Sequence, residues 1–504
     1  MLASATRSTI LGVRSIVGRP AALLGLGAIL AVVAFQLWIT PSNPPGYHRD
    51  EAALSLNAYT LSTSLRDEDG ARLPLFFRSF DDYKSPVYPY LLAGVFRVTG
   101  PSQTVARGFS AVLVLAAVLL LGVLARRLSG SSLVAVLVVV LAGFTPWLFE
   151  LGRIAIEAST QPLVVVGLLL VLERVVRLGR YAVWPGVAAG VLLGLLTYSY
   201  TGSRLLGPLF AVALVAFAGR ARWRFLLAAW ATFATALLPL GIYALRHPGN
   251  LTARYQATTI ARDGRSGIDV VLEAIGNWFK DGNPWHWATA GDPAPYIHNG
   301  GYGALFGSVV VLALVGAVLV LRRERQNPFW RYVLVATLLV PVPAALTVDR
   351  YNAIRLATLP VFALVLAVPS LAALVAAART SWAARAAAGV LAVLVVVQFT
   401  QFLDSYRTRG PARIVLFDAG VKPLLAGPLA SGQTIYLDYD DRGAQAQARW
   451  RAAVAGVPQS RVVILPDGGV PPPGSLVFLR FQTCDFPCED VARWEDYLLR
   501  RATG

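Results

Sequence analysis

Eleven long apolar segments constrain this chain more than any other feature of its sequence. They lie at about 21–40, 104–125, 131–149, 158–176, 182–199, 204–219, 224–245, 302–321, 330–347, 356–378 and 385–403. A helix needs roughly 20 mainly apolar residues to cross a bilayer, and each segment approaches that length. The chain is also 56% hydrophobic and only 14% charged, whereas soluble domains carry about 25% charged residues. The sequence therefore predicts a polytopic α-helical membrane protein with about eleven transmembrane helices.

The distribution of arginine predicts how these helices are oriented. The chain has a net charge of +17, but its arginines do not form one basic stripe, which argues against nucleic acid as a partner. The basic clusters instead follow every second apolar segment, as the positive-inside rule predicts for cytoplasmic loops. They comprise Arg126, Arg127, Arg174, Arg177, Arg180, Arg220, Arg222, Arg224, Arg322, Arg323, Arg325, Arg331, Arg379 and Arg385. We therefore expect a bacterial plasma-membrane protein with a cytoplasmic N-terminus.

Two domains follow from this topology. Residues 1–403 form the transmembrane domain, with long outside loops at 41–103 and 246–301. Residues 404–504 read as a small extracytoplasmic α/β domain, with strands at Arg413–Phe417, Thr434–Leu437, Val462–Leu465 and Leu476–Leu479 and a helix at Ala444–Ala455. Because Cys484 and Cys488 would lie in an oxidising compartment, we expect a disulfide, with two free thiols as the alternative.

The first outside loop holds the densest set of polar residues. It contains YHRDEAALSLNAY, in which Asp50 and Glu51 open a run that is typical of an amphipathic helix at the membrane surface. On a structural interpretation Asp50 is only the N-cap of this helix, and Glu51 favours its dipole. The second motif, FRSFDDYKSPVYPYL, contains Asp81, Asp82, Tyr83 and Lys84. A lysine at this depth can hold a lipid phosphate as a compact point charge.

Further polar residues fall in other outside loops and could complete an anion-binding cavity. They are Arg153 and Glu157, Tyr198, Tyr200 and Arg204, and Arg350, Asn352 and Arg355. The second long loop adds Trp285, Trp287, Tyr296 and Tyr302, which suit sugar rings or lipid headgroups. His286 and His298 with Asp292 between them form only a weak metal motif.

The topology and these motifs resemble the GT-C polyprenyl-phosphate-sugar glycosyltransferases. The nearest group is the bacterial dolichyl-phosphate-mannose protein mannosyltransferase-like family, with the aminoarabinose lipid A transferases as relatives. The resemblance covers about 1–403 and rests on the two first-loop motifs, then on ELGRIAIEAS and YSYTGSRLLGPL. Ser85 stands before Pro86 where many relatives have a second proline, a mild departure.

The resemblance implies a role for each residue that matches a family motif. Asp50 would be the catalytic base or orient the acceptor, and Glu51 would complete the acidic pair. Lys84 would hold the donor phosphate, and we expect Arg204 and Arg153 to add positive charge. The supporting residues would be Asp82, Asp81, Tyr83, Tyr200 and Arg355. The sequence indicates no metal ligands, and it leaves open whether a divalent metal is needed, since family members differ.

The function implied is transfer of a sugar, mannose-like or other, from a polyprenyl-phosphate donor to a protein, glycan or lipid acceptor on the extracytoplasmic face. A single displacement would invert the anomeric configuration. Two alternatives share the topology: a transporter or flippase of lipid-linked substrates, and an outer-leaflet polysaccharide polymerase. A transporter would carry polar breaks near mid-membrane, and a polymerase would depend on arginines of a large outside loop.

Overall fold

The computed structural model describes residues 22–38, 42–80, 82–179, 181–219, 222–262, 264–481 and 484–503, which are mostly helical. Ten helices and one hairpin occupy the first half of the chain. Their order is α1 (Ala22–Gln36), α2 (Arg49–Ser64), β1 (Phe77–Ser79), β2 (Asp82–Lys84), α3 (Val87–Thr99), α4 (Gln103–Ser129), α5 (Ser132–Phe144), α6 (Pro146–Leu151), α7 (Gln161–Leu178), α8 (Val183–Thr197), α9 (Ser203–Ala218) and α10 (Trp223–Arg246).

The second half of the helical bundle begins with three helices in the second long loop. These are α11 (Ala253–Thr258), α12 (Gly267–Asp281) and α13 (Pro284–Thr289). The remaining bundle helices are α14 (Gly307–Leu319), which continues into a π-helical turn at Val320–Glu324, then α15 (Pro328–Leu339), α16 (Val342–Ala345), α17 (Leu359–Ala377) and α18 (Trp382–Thr408).

Every apolar segment of the sequence that lies in the described residues is helical, which confirms the fold class. By length and composition, five helices can cross a membrane: α4, α10, α15 together with α16, α17 and α18. Helices α1, α5, α8 and α9 are equally apolar but shorter. Only 6% of the most apolar window of α18 is buried inside the protein, so lipid is the solvent for most of this helix. The number of crossings, eleven, stays a prediction.

Helix α2 differs from the surface helix that the sequence predicted. Ten of its residues are buried, including Glu51, Ser55 and Asn57 on its polar side. Helix α3 covers one face of α2, and a helix from the C-terminal part of the chain covers another. The expectation of an amphipathic helix at the bilayer surface was therefore wrong, because tertiary partners cover the polar face.

The C-terminal part forms a mixed sheet with two helices. Its elements are α19 (Val421–Ala430), β3 (Ile435–Leu437), α20 (Arg442–Val454), β4 (Val462–Ile464), β5 (Leu476–Arg480), β6 (Cys488–Trp494) and β7 (Tyr497–Ala502). The strand order is β4-β3-β5-β7-β6. Strand β3 pairs in parallel with β4 and β5, whereas β7 pairs antiparallel with β5 and β6.

One sequence prediction for this region is wrong and another is confirmed. The predicted strand at Arg413–Phe417 is a series of turns, because tertiary contacts take up its polar groups: Arg413 donates to the carbonyl oxygens of Pro295 and Tyr296, and the Phe417 carbonyl accepts from Tyr47. Cys484 and Cys488 are joined by a disulfide, which excludes the alternative of free thiols.

Close packing between α14 and α17 depends on a residue without a side chain. A Cβ placed on Gly316 would lie only 1.8 Å from the carbonyl oxygen of Leu366. In lipid, where water does not drive helices together, van der Waals contact at such small residues is a main source of association. Gly316 therefore sets the distance between these two helices.

We expect Gly316→Ala to destabilise the protein by about 1–3 kcal/mol, because the new methyl group meets backbone that cannot turn away. Gly389→Ala is the matched control, since no atom lies within 4 Å of a Cβ at that helical position. Thermal unfolding in detergent, followed by tryptophan fluorescence, compares the two variants. Equal melting temperatures of the two variants would show that Gly316 does not set the distance between α14 and α17.

Candidate active site

A cavity of about 200 Å³ lies at one end of the helical bundle. Its walls come from the start of α2, strand β2, the turn before α7, the turn before α9, helix α11 and the loops at 292–296 and 352–355. The lining residues are Asp50, Leu54, Asp82, Lys84, Ile156, Glu157, Tyr200, Thr201, Arg254, Asp292, Ala294, Tyr296, Asn352, Ile354 and Arg355. Residues far apart in sequence thus converge on one polar space.

The centre of the cavity is a lysine held between two carboxylates. The Lys84 Nζ lies 3.4 Å from Asp50 Oδ1 and 3.5 Å from Asp82 Oδ2. The short hairpin fixes this geometry, since β1 and β2 pair Phe77 with Lys84 and Ser79 with Asp82. The sequence predicted that the acidic clusters and the lysine of the first loop frame one site, and the structure brings Asp50, Asp82 and Lys84 together.

The charges of this trio strengthen one another. Burial alone would raise the pKa of Asp50, but the positive charge of Lys84, with smaller effects from His48, Arg49 and Arg254, lowers it to about 2. Burial alone would lower the pKa of Lys84, but Asp50, Glu157 and Asp82 raise it above its ordinary value. Both groups are therefore ionised at neutral pH, and the Lys84 ammonium lines the cavity as a cation.

Asp50 is held by the residue that begins its helix. His48, rather than Asp50, is the N-cap of α2, and its Nδ1 accepts a hydrogen bond of 3.1 Å from the Asp50 backbone. The interpretation of Asp50 as the N-cap was thus wrong. Because His48 caps the helix, the carboxylate of Asp50 is not used as the cap and instead faces Lys84 and the cavity.

Glu51 has a structural place and does not line the cavity. Its side chain is fully buried and forms an ion pair with Arg107, with Oε2 2.8 Å from Nη2 and Oε1 2.9 Å from Nε. It also accepts from the backbone of Ala155 at 2.8 Å and of His48 at 3.0 Å. With its oxygens occupied in this way, we correct the expectation that Glu51 acts on substrate.

Two predicted phosphate ligands, Arg153 and Arg204, are not among the residues that line the cavity. Arg153 is buried, and its guanidinium donates to the carbonyl oxygens of Gln36, Trp38 and Phe149. Arg204 donates to Leu251 at 3.0 Å and to Tyr83 at 2.5 Å, and it lies over the ring of Phe76. Neither lines the cavity, so both support the backbone around the site instead of contacting a ligand there.

The supporting residues divide in a similar way. Asp82, Tyr200 and Arg355 line the cavity, and Arg355 also pairs with Asp349 at 2.9 Å. Tyr83 contributes its carbonyl to Arg204 but does not line the cavity. Asp81 lies outside the described residues.

Arg254 was not among the site residues predicted from the sequence. This arginine lies on α11, in the second long loop, and it completes the positive part of the lining with Lys84 and Arg355. The only signal was an arginine on the side where the positive-inside rule predicts few. Glu157, which was predicted from the sequence among the residues that could complete the cavity, lines it. It is 2% exposed and its Oε2 has no hydrogen-bond partner among the described residues.

The histidines of the second long loop have other partners. His286 Nε2 lies 2.8 Å from the Gly291 carbonyl oxygen and its ring stacks on Tyr351, whereas His298 Nε2 lies 3.0 Å from the Tyr302 carbonyl oxygen. Within the described ranges, no group of three or more histidine, cysteine, aspartate or glutamate side chains has metal-binding geometry. The weak metal motif therefore gains no support.

The fold and the cavity together define the class of protein. The architecture matches two crystal structures of ArnT from Cupriavidus metallidurans: one bound to undecaprenyl phosphate, with a TM-score of 0.58 and 14% identity over 95% of this chain and 98% of that chain, and one in the apo state, with 0.59 and 13% over 96% and 98%. The chain thus has the GT-C fold.

The sequence comparisons agree with the fold. Residues 83–243, which include Lys84, Glu157 and Tyr200, match the model of the dolichyl-phosphate-mannose-protein mannosyltransferase family. No curated protein matches in sequence. The GT-C fold implied by the resemblance is confirmed, and the family match agrees with the resemblance to polyprenyl-phosphate-sugar glycosyltransferases over residues 83–243.

The pairing of Glu51 with Arg107 predicts a stability effect. Arg107→Met leaves a buried carboxylate without its counter-charge, and we expect a loss of about 3–5 kcal/mol in the free energy of unfolding. Adding Glu51→Gln should recover part of the loss, because the uncompensated charge disappears. Urea unfolding in detergent measures both proteins; a double variant no more stable than Arg107→Met would argue against the ion pair.

Glu157 predicts a pH effect of defined sign. Burial raises its pKa to about 7, with Asp82 and Asp50 adding to the rise and Lys84 opposing it. The folded state holds this proton more tightly than the unfolded chain does. The contribution of Glu157 to stability is therefore fully present below pH ~4.3 and is lost as the pH rises toward 7. Glu157→Gln should remove that fall, whereas Glu489→Gln, at a 61% exposed side chain, should not. Melting curves at intervals from pH 4 to 8 provide the comparison.

Proposed function

We propose that this chain is an integral membrane glycosyltransferase that moves a sugar from a polyprenyl-phosphate donor to an acceptor. The observation that carries the proposal is the Lys84 ammonium held between Asp50 and Asp82 in a cavity at one end of a GT-C bundle. The undecaprenyl phosphate in the crystal structure of the Cupriavidus ArnT supports a lipid-linked donor of this kind.

Lys84 is proposed to hold the donor phosphate. Its ammonium is the cation nearest Asp50 in the cavity, and Arg254 and Arg355 add positive charge to the same lining. A polyprenyl phosphate is a stable anionic leaving group, so it requires cationic stabilisation rather than a strong acid. The lysine supplies this at the oxygen where negative charge develops as the bond to the sugar breaks.

Asp50 is proposed to orient the acceptor and to take its proton. Its low pKa of about 2 depends on the lysine cation. When an anionic phosphate occupies Lys84, part of that stabilisation is neutralised, and the carboxylate becomes a stronger base. Donor binding therefore prepares the base for the second substrate.

The step itself is a single displacement. The acceptor oxygen forms a bond to the anomeric carbon while its proton passes to Asp50. The bond from that carbon to the phosphate oxygen breaks, and its electron pair leaves with the polyprenyl phosphate beside Lys84. Because attack and departure take place on opposite sides of the carbon, the product has the inverted configuration.

We further propose that the cavity faces outside the cell, in a bacterial plasma membrane with the N-terminus in the cytoplasm. Arg127, Arg177 and Arg323 lie near the bundle ends opposite the cavity-forming loops, as the positive-inside rule requires for cytoplasmic loops. Donors carried by a lipid in the outer leaflet then reach the site directly, without a nucleotide.

The test compares Asp50→Asn and Lys84→Met with wild-type protein in liposomes that contain a radiolabelled polyprenyl-phosphate sugar. We expect Asp50→Asn to lower turnover by roughly 10²–10⁴-fold, the usual contribution of a positioned base. Lys84→Met should act mainly on the use of donor, with kcat/KM for the lipid lowered at least about tenfold because one charged contact is lost. Release of label from the lipid measures both.

Matched controls separate these effects from general damage. Asp404→Asn and Lys280→Met change the same residue types at exposed positions of α18 and α12, and both should retain wild-type turnover. Turnover by Asp50→Asn at the wild-type rate would overturn the assignment of the base. No turnover of any lipid-linked sugar, together with movement of the lipid across the bilayer, would instead favour a flippase. Chain growth of a polysaccharide would favour a polymerase.

A further inference from the structure

The segment 43–48, which leads into α2, is held on several sides. Arg107 donates to the carbonyl oxygens of Pro44 and Gly46, and Gln103 also donates to Gly46 at 2.5 Å. The Tyr47 backbone donates to the Phe417 carbonyl at 2.6 Å. A Cβ on Gly46 would lie 2.2 Å from that same carbonyl oxygen, so the C-terminal part of the chain is in direct contact with the entry to α2.

Helix α20 supplies the remaining contacts from the C-terminal sheet region. The fully buried Gln447 donates through Nε2 to the carbonyl of Tyr47 at 2.6 Å and to Asp418 Oδ2 at 2.9 Å. Three residues further along, the Trp450 ring stacks on Tyr47 with the ring centroids 5.5 Å apart. One amide thus joins α20, the 417–419 turn and the residue before His48.

This connection leads to the cavity within three residues. Tyr47 is followed by His48, whose ring caps α2 and accepts from the Asp50 backbone. His48 also packs 4.5 Å from the ring of Tyr296, which lines the cavity. A buried carbonyl without a donor costs about 1–3 kcal/mol, so loss of the Gln447 amide would let the Tyr47–His48 backbone move to find another partner.

We propose that α20 of the C-terminal region is a positioning element for the cavity, and that Gln447 is its positioning residue, which keeps Asp50 against Lys84 through Tyr47 and His48. The geometric part of this proposal stands on the contacts alone, and only its kinetic part rests on the proposed glycosyl transfer. The C-terminal region thereby becomes part of the site without lining it.

The charged surroundings of Asp50 define what a displacement would change. Lys84 and His48 face it at 3.4 and 3.6 Å. Arg49 on α2, Arg254 on α11, Asp82 on β2 and Glu157 before α7 also act on this pair. The phenols of Tyr200 and Tyr296, in the turn before α9 and the loop at 292–296, line the same cavity and interact with its charges. If Asp50 moves away from Lys84, the ammonium loses its strongest favourable partner, and more of the lysine is present as the reactive free amine.

Lysine labelling tests the geometry without any substrate. The chain has only three lysines, Lys84, Lys280 and Lys422, so the last two are internal references. Purified full-length protein is treated with limiting acetic anhydride at pH 9, and the rate at each lysine is measured by peptide mass spectrometry. We expect Gln447→Leu to label Lys84 at least about threefold faster than wild type, relative to both references, since a fall of one pKa unit gives tenfold more free amine.

Gln445→Leu is the matched control. Gln445 is also buried and lies on the same helix, but its Nε2 donates to the carbonyl oxygens of Asp438 and Tyr439 within the C-terminal region. Lys84 labelling in this variant should equal wild type. Gln447→Met is a second test variant that keeps the unbranched shape and approximate length of the side chain and removes the donor, and it should behave as Gln447→Leu does even if the leucine protein folds poorly.

The kinetic arm measures turnover of the polyprenyl-phosphate sugar from pH 3 to 8. We expect Gln447→Met to lower kcat at least about tenfold with KM for the donor changed less than threefold, and to move the acid limb upward toward the ordinary aspartate pKa. A purely structural residue would lower the yield of folded protein and leave the position of the limb unchanged. Gln445→Leu should retain the wild-type profile.

The outcomes separate the two proposals. Faster Lys84 labelling in both Gln447 variants, with the wild-type rate in Gln445→Leu, supports positioning. This holds even if wild-type protein transfers no sugar, and in that case the proposed function alone fails. Wild-type labelling of Lys84 in Gln447→Leu and Gln447→Met overturns positioning, whatever the turnover. Equal acceleration in Gln445→Leu also overturns it, because the effect would then belong to α20 as a whole.

Discussion

The buried ion pair of Glu51 and Arg107 is the contact on which the candidate site depends. It joins the first turn of α2 to α4, and through the remaining donors and acceptors of the two side chains it also fixes the backbone of Pro44, Gly46 and Ala155. Both charges are almost fully withdrawn from solvent, so each is tolerated only because the other is present. The loop ahead of α2, the first turn of α2 and the turn ahead of α7 are thereby held in fixed positions relative to one another. Asp50 lies in the first of these turns and Glu157 follows directly on the second.

Within that frame, the chemistry of the cavity arises from unequal sharing of charge. Lys84 lies between Asp50 and Asp82. Glu157 lines the same cavity, its Oε2 has no hydrogen-bond partner among the described residues, and its pKa is about 7. Lys84 lowers the pKa of both Asp50 and Glu157, but burial prevails at Glu157, whereas the lysine and the other basic groups nearby together outweigh burial at Asp50. The arrangement can respond to an anionic ligand, because a phosphate at Lys84 alters the balance for every carboxylate around it. The C-terminal region enters the same balance through Gln447, which holds the backbone before His48.

The sequence located the central residues because their motifs are local. Asp50 lies at the start of a helix and Lys84 on a short hairpin, both within one loop, so their proximity needed little knowledge of the fold. Arg153 and Arg204 were misassigned for the opposite reason. Each lies beside a motif that reaches the cavity, but the direction of a guanidinium depends on which carbonyl groups are near, and these come from α1, α6, β2 and the loop before α11. The antiparallel strands β6 and β7 were not predicted either, since β6 is mostly polar and exposed and β7 does not alternate between buried and exposed residues.

The sequence by itself determined the membrane-embedded helical class, because apolar segment length and arginine placement are set by the bilayer and not by packing. It also determined the composition of the site, since an acidic helix start and a lysine hairpin are written in consecutive residues. The tertiary structure alone decided which of two adjacent carboxylates faces the cavity. Asp50 and Glu51 are neighbours in sequence, but successive residues of a helix point about 100° apart. Arg107, 56 positions away from Glu51 along the chain, selects the one that is buried.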